Sequence, residues 1–233
     1  MTQKDIQAIL FDKDGTLFDF EATWNVWANT FLMRMAEGDH KRATHLGHLI
    51  GFDFATGVFR PDSFVIAGTP DDLVAVLHPE FPEFSQQALA DLINEEAAAA
   101  PMAEATPLRP LLERFSTAGL RLGVATNDAA TPALAHLDAA GIRSSFEFIC
   151  GSDSGFGSKP EPGPLLAFCN AVNVAPNAVA MVGDSKHDLV AGRAAGMTTV
   201  AVLTGLAAAA ELEPFADVVL PDIGHLPDWL GLE

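Results

Sequence analysis

From residue 106 onwards the chain alternates between short β-rich apolar runs and helical stretches, and this rhythm restricts its fold more than any other feature. Strand-like runs fall at 121–126, 146–150, 179–182 and 198–203, with a last apolar run at 217–220. Between them lie helical segments at 108–118, 131–141, 164–172 and 186–195, several closed by a glycine (Gly119, Gly141, Gly196). Thr131-Pro132 reads as an N-cap followed by a proline in the first turn. Strands and helices of these lengths in alternation predict right-handed βαβ units on a parallel sheet. The expected class is α/β, a doubly wound parallel sheet.

A first strand precedes this series. The apolar run from Ile6 to Phe11 ends abruptly in Asp12-Lys13-Asp14-Gly15-Thr16-Leu17. About 110 residues then separate Asp14 from Thr126, where one crossover helix with its loops needs roughly 20 to 30. The surplus forms a second lobe, placed at residues 18–103, with the catalytic core at 1–17 and 104–233. Helical spacing of Trp24, Trp27, Phe31 and Met35, and a later helical stretch from Leu89, predict an α-helical cap around a turn-rich middle at 51–70. It hangs from the loop after the first strand, so it overhangs the carboxyl ends of the strands, where open α/β sheets bind ligands.

At 233 residues the chain can bury one core and a smaller appendage. A net charge of −18 excludes nucleic acid as the expected partner, because phosphate backbones need a basic footprint. An anionic substrate must therefore be caught by local positive charge against the global field. Cys150 and Cys169 lie in apolar segments and read as reduced core residues. No apolar stretch reaches the roughly 18 residues of a membrane span, and the first apolar run is cut by Asp12, unlike a secretory leader. The expectation is a cytoplasmic protein, monomer or homodimer, without a membrane.

In a doubly wound sheet the loops after the strands converge. Those loops carry Asp12, Asp14, Gly15 and Thr16; then Thr126, Asn127 and Asp128; then Gly183-Asp184-Ser185 with Asp188; and a glycine-rich loop, 151–160, ending in Lys159-Pro160. Two carboxylates one residue apart repel unless a cation or proton separates them. Several carboxylates with no histidine or cysteine among them are hard oxygen ligands, which select Mg²⁺ over Zn²⁺. The Thr126 hydroxyl, backbone N–H groups at Thr126 and Asn127, and the Lys159 ammonium suit a dianionic phosphoryl group.

On these motifs the sequence resembles the haloacid dehalogenase superfamily of phosphohydrolases. Asp12-x-Asp14-Gly15-Thr16 matches its first motif, Thr126 its second, Lys159-Pro160 its third and Gly183-Asp184-x-x-x-Asp188 its fourth. The insertion at 18–103 is in the position of the family's helical-cap subgroup. Phe11 to Leu17 and the Asp153-to-Pro160 loop are most like phosphoglycolate phosphatase-type members. The resemblance implies that Asp12 attacks phosphorus and forms an aspartyl-phosphate. Asp14 would protonate the leaving alcohol and then activate water, helped by neighbouring carboxylates that raise its pKa. It further implies Mg²⁺ held by Asp12, the Asp14 backbone carbonyl and Asp184, with Asp188 bound directly or through water. Thr126, Asn127 and Lys159 would hold the phosphoryl oxygens, and the substrate would be a small phosphorylated metabolite.

The basic cap residues Arg34, Lys41, Arg42 and Arg60, with His40, His45 and His48, read as a solvated face. One of them would have to reach down if the substrate carried a carboxylate. Trp24 and Trp27 read as cap core or hinge packing, and Asp153 as a loop-turn residue. Two other functions fit parts of the pattern. A sugar-phosphate mutase or phosphotransferase would use the same scaffold, and a phospho-aspartate signalling or binding module would share the acidic pocket without turnover.

Overall fold

A computed structural model describes residues 5–232; residues 1–4 and 233, at the two ends of the expected core, lie outside the described residues. The core begins with β1 (Ala8–Phe11), and the chain then leaves for the lobe. There it forms α1 (Phe20–Met35), α2 (His40–Ile50), β2 (Phe52–Asp53), β3 (Val58–Phe59), α3 (Pro70–Leu77) and α4 (Gln86–Ala98). It returns through α5 (Leu108–Thr117), β4 (Arg121–Ala125), α6 (Ala130–Ala139), β5 (Phe148–Cys150), α7 (Gly163–Val172) and β6 (Val179–Gly183). It finishes with α8 (Lys186–Ala195), β7 (Thr198–Val202), α9 (Ala209–Leu212), β8 (Val218–Leu220) and α10 (Leu226–Leu230).

The six core strands form one sheet in the order β5-β4-β1-β6-β7-β8, every pair parallel. The β1 strand is flanked by β4 and β6, so the crossovers depart in opposite directions around it. The carboxyl ends of those three strands therefore face a common crevice. All four β1 residues are fully buried, and period-two alternation divides them between the two faces. Ile9 and Phe11 pack with Leu112, Phe115 and Leu226 on one side, whereas Ala8 and Leu10 pack with Leu165, Phe168 and Met181 on the other. This double burial is why the strand reads as a continuous apolar run until Asp12.

The lobe has its own apolar cluster, with Trp27, Phe31, Leu46, Phe52, Leu77 and Leu89 near its centre. It is mostly helical, but the turn-rich middle also holds a short antiparallel pair, β2 with β3, which the sequence reading passed over. The two crossings between core and lobe run side by side. Asp19 N donates to the Ala103 carbonyl and Ala105 N to the Leu17 carbonyl, both at 2.9 Å.

Helix α6 corrects one local expectation. It is capped at Ala129, with Thr131 already inside the first turn. The cap oxygen comes from another loop: Asp153 Oδ1 accepts from Ala130 N at 2.8 Å. A helix end satisfied from across the fold needs no capping residue of its own.

Candidate active site

The crevice gathers the residues singled out above. Asp12 ends β1, Thr126 follows β4 and Asp184 follows β6. Asp188 lies in the first turn of α8, and Lys159 arrives on the loop after β5. Lys159 Nζ stands 2.6 Å from Asp12 Oδ1 and 2.6 Å from Asp188 Oδ1. Carboxylate oxygens of Asp12, Asp184 and Asp188 lie within 4.8 Å of one another, and all three residues are buried.

Asp188 has two tasks. Its Oδ2 accepts from Ser185 N at 3.0 Å and from Ser185 Oγ at 2.6 Å, closing a capping box at the start of α8. Its Oδ1 is left for Lys159. Asp184 is hemmed in by glycines: a Cβ on Gly15 or Gly205 would collide with its carboxylate. Gly15 also has φ +78°, a conformation that glycine adopts without strain.

Burial is the largest influence on the Asp12 and Asp184 carboxylates and pushes both upward. Asp12 rises to about 7, with Asp188 and Asp14 adding to the rise and Lys159 opposing it. Asp184 is raised well above the carboxylate range by burial and by the Asp12 and Asp188 charges. Burial tends to lower Lys159, yet Asp12 and Asp188 hold it above the ordinary lysine value. Three desolvated oxygen donors with only one ammonium between them lack positive charge. The set has no nitrogen or sulfur donor, so a hard divalent cation such as Mg²⁺ fits it.

The Asp14 and Asn127 side chains take partners within the protein. The Asp14 carboxylate stands outside the Asp12–Asp184–Asp188 group and turns to Lys13, whose Nζ is 2.8 Å away. The Asn127 side chain binds protein backbone: Nδ2 donates to the carbonyls of Lys159 and Ala67, and Oδ1 accepts from Lys159 N. It fixes the Lys159 loop and ties it to the lobe. Thr126 lines the cleft, and its Oγ1 accepts from Asp128 N at 3.1 Å.

Lys13 is the residue the sequence reading missed. It is fully buried. Its ammonium contacts Asp14, Asp128 at 3.2 Å and His136 Nδ1 at 3.0 Å, and lies 5.6 Å from the Trp24 ring centre. Because an ammonium only donates, His136 Nδ1 must accept, and its Nε2–H donates to the Ala97 carbonyl of α4 at 2.8 Å. Burial and the Lys13 charge lower His136 to about 4, so the ring is neutral. Burial raises Asp128 to about 6 against the pull of Lys13. The only sequence signal was a lysine between two aspartates at the end of a buried strand.

The basic cap residues stay outside the cleft. Arg34 pairs with Glu96, Arg60 with Asp62 and His45 with Glu80, all on the surface. Arg42 donates to the Glu80 carbonyl and lies over Phe81. Trp24 and Trp27, read as packing residues, do pack against each other but also line the cleft. Cys150 and Cys169 are buried and free, as expected. No helix among the described residues is long and apolar enough to cross a membrane.

The parallel sheet thus presents a buried aspartate cluster and a lysine at its switch point. The sequence pattern of the haloacid dehalogenase-like hydrolases matches residues 9–202, and the chain belongs to that family. The phosphoglycolate phosphatase of Nitrosospira multiformis is 30% identical over 192 residues, 82% of this chain and 80% of that protein. That of Rhodospirillum rubrum is 35% identical over 121 residues, 52% of this chain, and the match spans only 50% of that relative. The crystal structure of CbbY from Rhodobacter sphaeroides in complex with phosphate superimposes with a TM-score of 0.73 at 22% identity. That comparison covers 97% of this chain and all of that one.

Proposed function

We propose that the chain is a Mg²⁺-dependent phosphatase that hydrolyses small phosphomonoesters through an aspartyl-phosphate on Asp12, with residues 18–103 as its cap domain. The observation that carries this reading is the Lys159 ammonium held between Asp12 and Asp188, beside Asp184, at the mouth of the strands. The phosphatases among its relatives support it. When bound, Mg²⁺ would offset the repulsion between an attacking carboxylate and a phosphoryl dianion. Asp12, Asp184 and Asp188 would hold it, with the Asp14 backbone carbonyl as a further ligand.

Asp12 donates an oxygen lone pair to phosphorus, and the bond from phosphorus to the leaving alcohol oxygen breaks. Asp14, at the cleft wall, enters this step as the carboxylic acid while Asp128 and His136 keep the Lys13 ammonium paired, and gives that oxygen its proton. It then takes a proton from water as the water attacks the aspartyl-phosphate, releasing inorganic phosphate and restoring Asp12. Lys159 and Thr126 orient the phosphoryl oxygens, and Lys159 shields the Asp12 charge. Lys13 holds the Asp14 carboxylate, and Asn127 holds the Lys159 loop.

The test is hydrolysis of p-nitrophenyl phosphate. Turnover is expected with Mg²⁺, is lost in excess EDTA, and falls by about 10³-fold or more in Asp12→Asn with the fold retained. Undiminished turnover in either condition would remove the mechanism.

A further inference from the structure

The cleft that holds the aspartates continues upward into the lobe, and its upper wall is of a different character. It holds about 700 Å³ of empty space, including its solvent-filled mouth. The lobe lines it with Phe20, Trp24, Trp27, Ile66, Leu73 and Ile93. None of the lobe's arginines, lysines or histidines is among the lining residues. Five carboxylates line the floor (Asp12, Asp14, Asp128, Asp184 and Asp188), and the basic groups beside them are Lys159, already bound to two of them, and His187 on α8. A second anionic group on a substrate would sit against an apolar wall with no free lobe cation, above an acidic floor.

The wall also has unused donors. Nε1–H of Trp24 and of Trp27 are both buried without an acceptor, and Trp27 as a whole is 3% exposed. A buried indole N–H usually finds a partner, because a hydrogen bond left unmade in an apolar setting is costly. Trp27 is stacked on Phe31 with ring centres 5.0 Å apart and planes 8° apart, and is edge-on to Trp24 at 5.3 Å. Ring packing therefore holds both donors in the cleft wall, and neither meets a protein acceptor.

Resting on the phosphatase reading above, we propose that the substrate is a phosphomonoester of an uncharged, largely apolar alcohol of about one ring's size. Its leaving group carries a hydrogen-bond acceptor, a carbonyl or ether oxygen, that meets the Trp24 and Trp27 N–H groups. A carboxylate-bearing ester such as phosphoglycolate is then a poor fit, although relatives of this chain carry that substrate in their names. Small polar phosphoacids fail on charge, and pyrophosphate fails for the same reason. The apolar wall supplies affinity through burial, and the indoles supply orientation.

The test compares two esters that differ in charge and little in size or leaving-group reactivity, 4-acetylbenzyl phosphate and 4-carboxybenzyl phosphate, with phosphoglycolate alongside. Their unreactive phosphonate analogues are titrated by calorimetry in Mg²⁺ buffer. The acetyl analogue is expected to bind about tenfold or more tightly than the carboxy analogue, with kcat/KM of the esters in the same order. Trp27→Phe keeps the ring and removes the N–H. It should lower the advantage of the acetyl compound over unsubstituted benzyl by about three- to tenfold, and Trp24→Phe should act in the same direction. Equal or tighter binding of the carboxy analogue, phosphoglycolate as the better substrate, or acetyl binding no tighter than inorganic phosphate would each overturn the proposal. If the acetyl analogue is preferred but no ester is hydrolysed, the phosphatase reading fails and the ligand class of the pocket stands. Hydrolysis with the carboxylate preferred has the opposite meaning.

Discussion

At the scale of single residues, the floor of the cleft depends on a buried ammonium. The fully buried Lys13 ammonium is shared between Asp14, at the cleft wall, and the buried Asp128. Lys13→Met keeps the apolar stem and removes the charge, stranding two carboxylates, so a loss of about 3–5 kcal/mol is expected in urea unfolding. A loss below about 0.5 kcal/mol would mean that the network is not an energetic unit. His136 gives a pH signature of its own. Its ordinary value of 6.5 falls to about 4 in the fold. Below pH 6.5 the unfolded chain accepts a proton that the native ring refuses until about pH 4. Stability is lost as pH falls through that interval, by up to about 3 kcal/mol. Asp12 and Asp128, raised by burial, act in the opposite direction. The clean comparison is therefore wild type against His136→Gln. The wild type should lose stability relative to the variant between pH 6.5 and 4, and parallel curves would contradict the assignment. Asp12, Thr126, Asp184 and Asp188 were legible because each follows a strand or opens a helix with a residue that packing alone does not require, and Lys159 because it closes a glycine-rich loop. Lys13 and His136 were not, and Asp128 stood among the loop residues without a role. Their meaning lies in contacts 123 positions apart, as between Lys13 and His136, which no local pattern encodes.

At the scale of elements, strands and turns set the aim of the carboxylates. The strands were readable in order because the core sheet is parallel and buried on both faces, leaving apolar runs cut by polar loops. The end of α6 was misread for the opposite reason, since its cap oxygen comes from Asp153 on another loop. The short β2–β3 pair is too brief for an alternating pattern to show. The loop after β7 has a clear assignment. Gly205 has an ordinary backbone conformation, so alanine there is strained only by its Cβ, which meets Asp184. Gly205→Ala should push the Asp184 carboxylate aside and weaken Mg²⁺ by about tenfold or more. The readout is the Mg²⁺ concentration that half-saturates the rise in unfolding temperature. An unchanged value would place Asp184 outside the cation site.

At the scale of the whole molecule, the protein sets a local cationic point inside a strongly acidic body. The net charge of −18 opposes any anion at a distance, so capture of the proposed phosphoryl substrate would depend on Lys159 and the proposed cation. The lobe closes the cleft from above through contacts at opposite sides, Ala67 with Asn127 and Ala97 with His136. The sequence showed that such a lobe exists, since the gap after the first strand is too long for a crossover. Which of its side chains face the cleft depended on how its helices pack, and the answer was the tryptophans rather than the basic residues. The most direct measurement is acid-quenched single turnover with a ³²P-labelled phosphomonoester and Mg²⁺, followed by peptide mapping. A base-labile phosphoryl group on the peptide containing Asp12, absent from Asp12→Asn, is the expected result. Rapid turnover with no labelled Asp12, or with the label on another residue, would contradict the account.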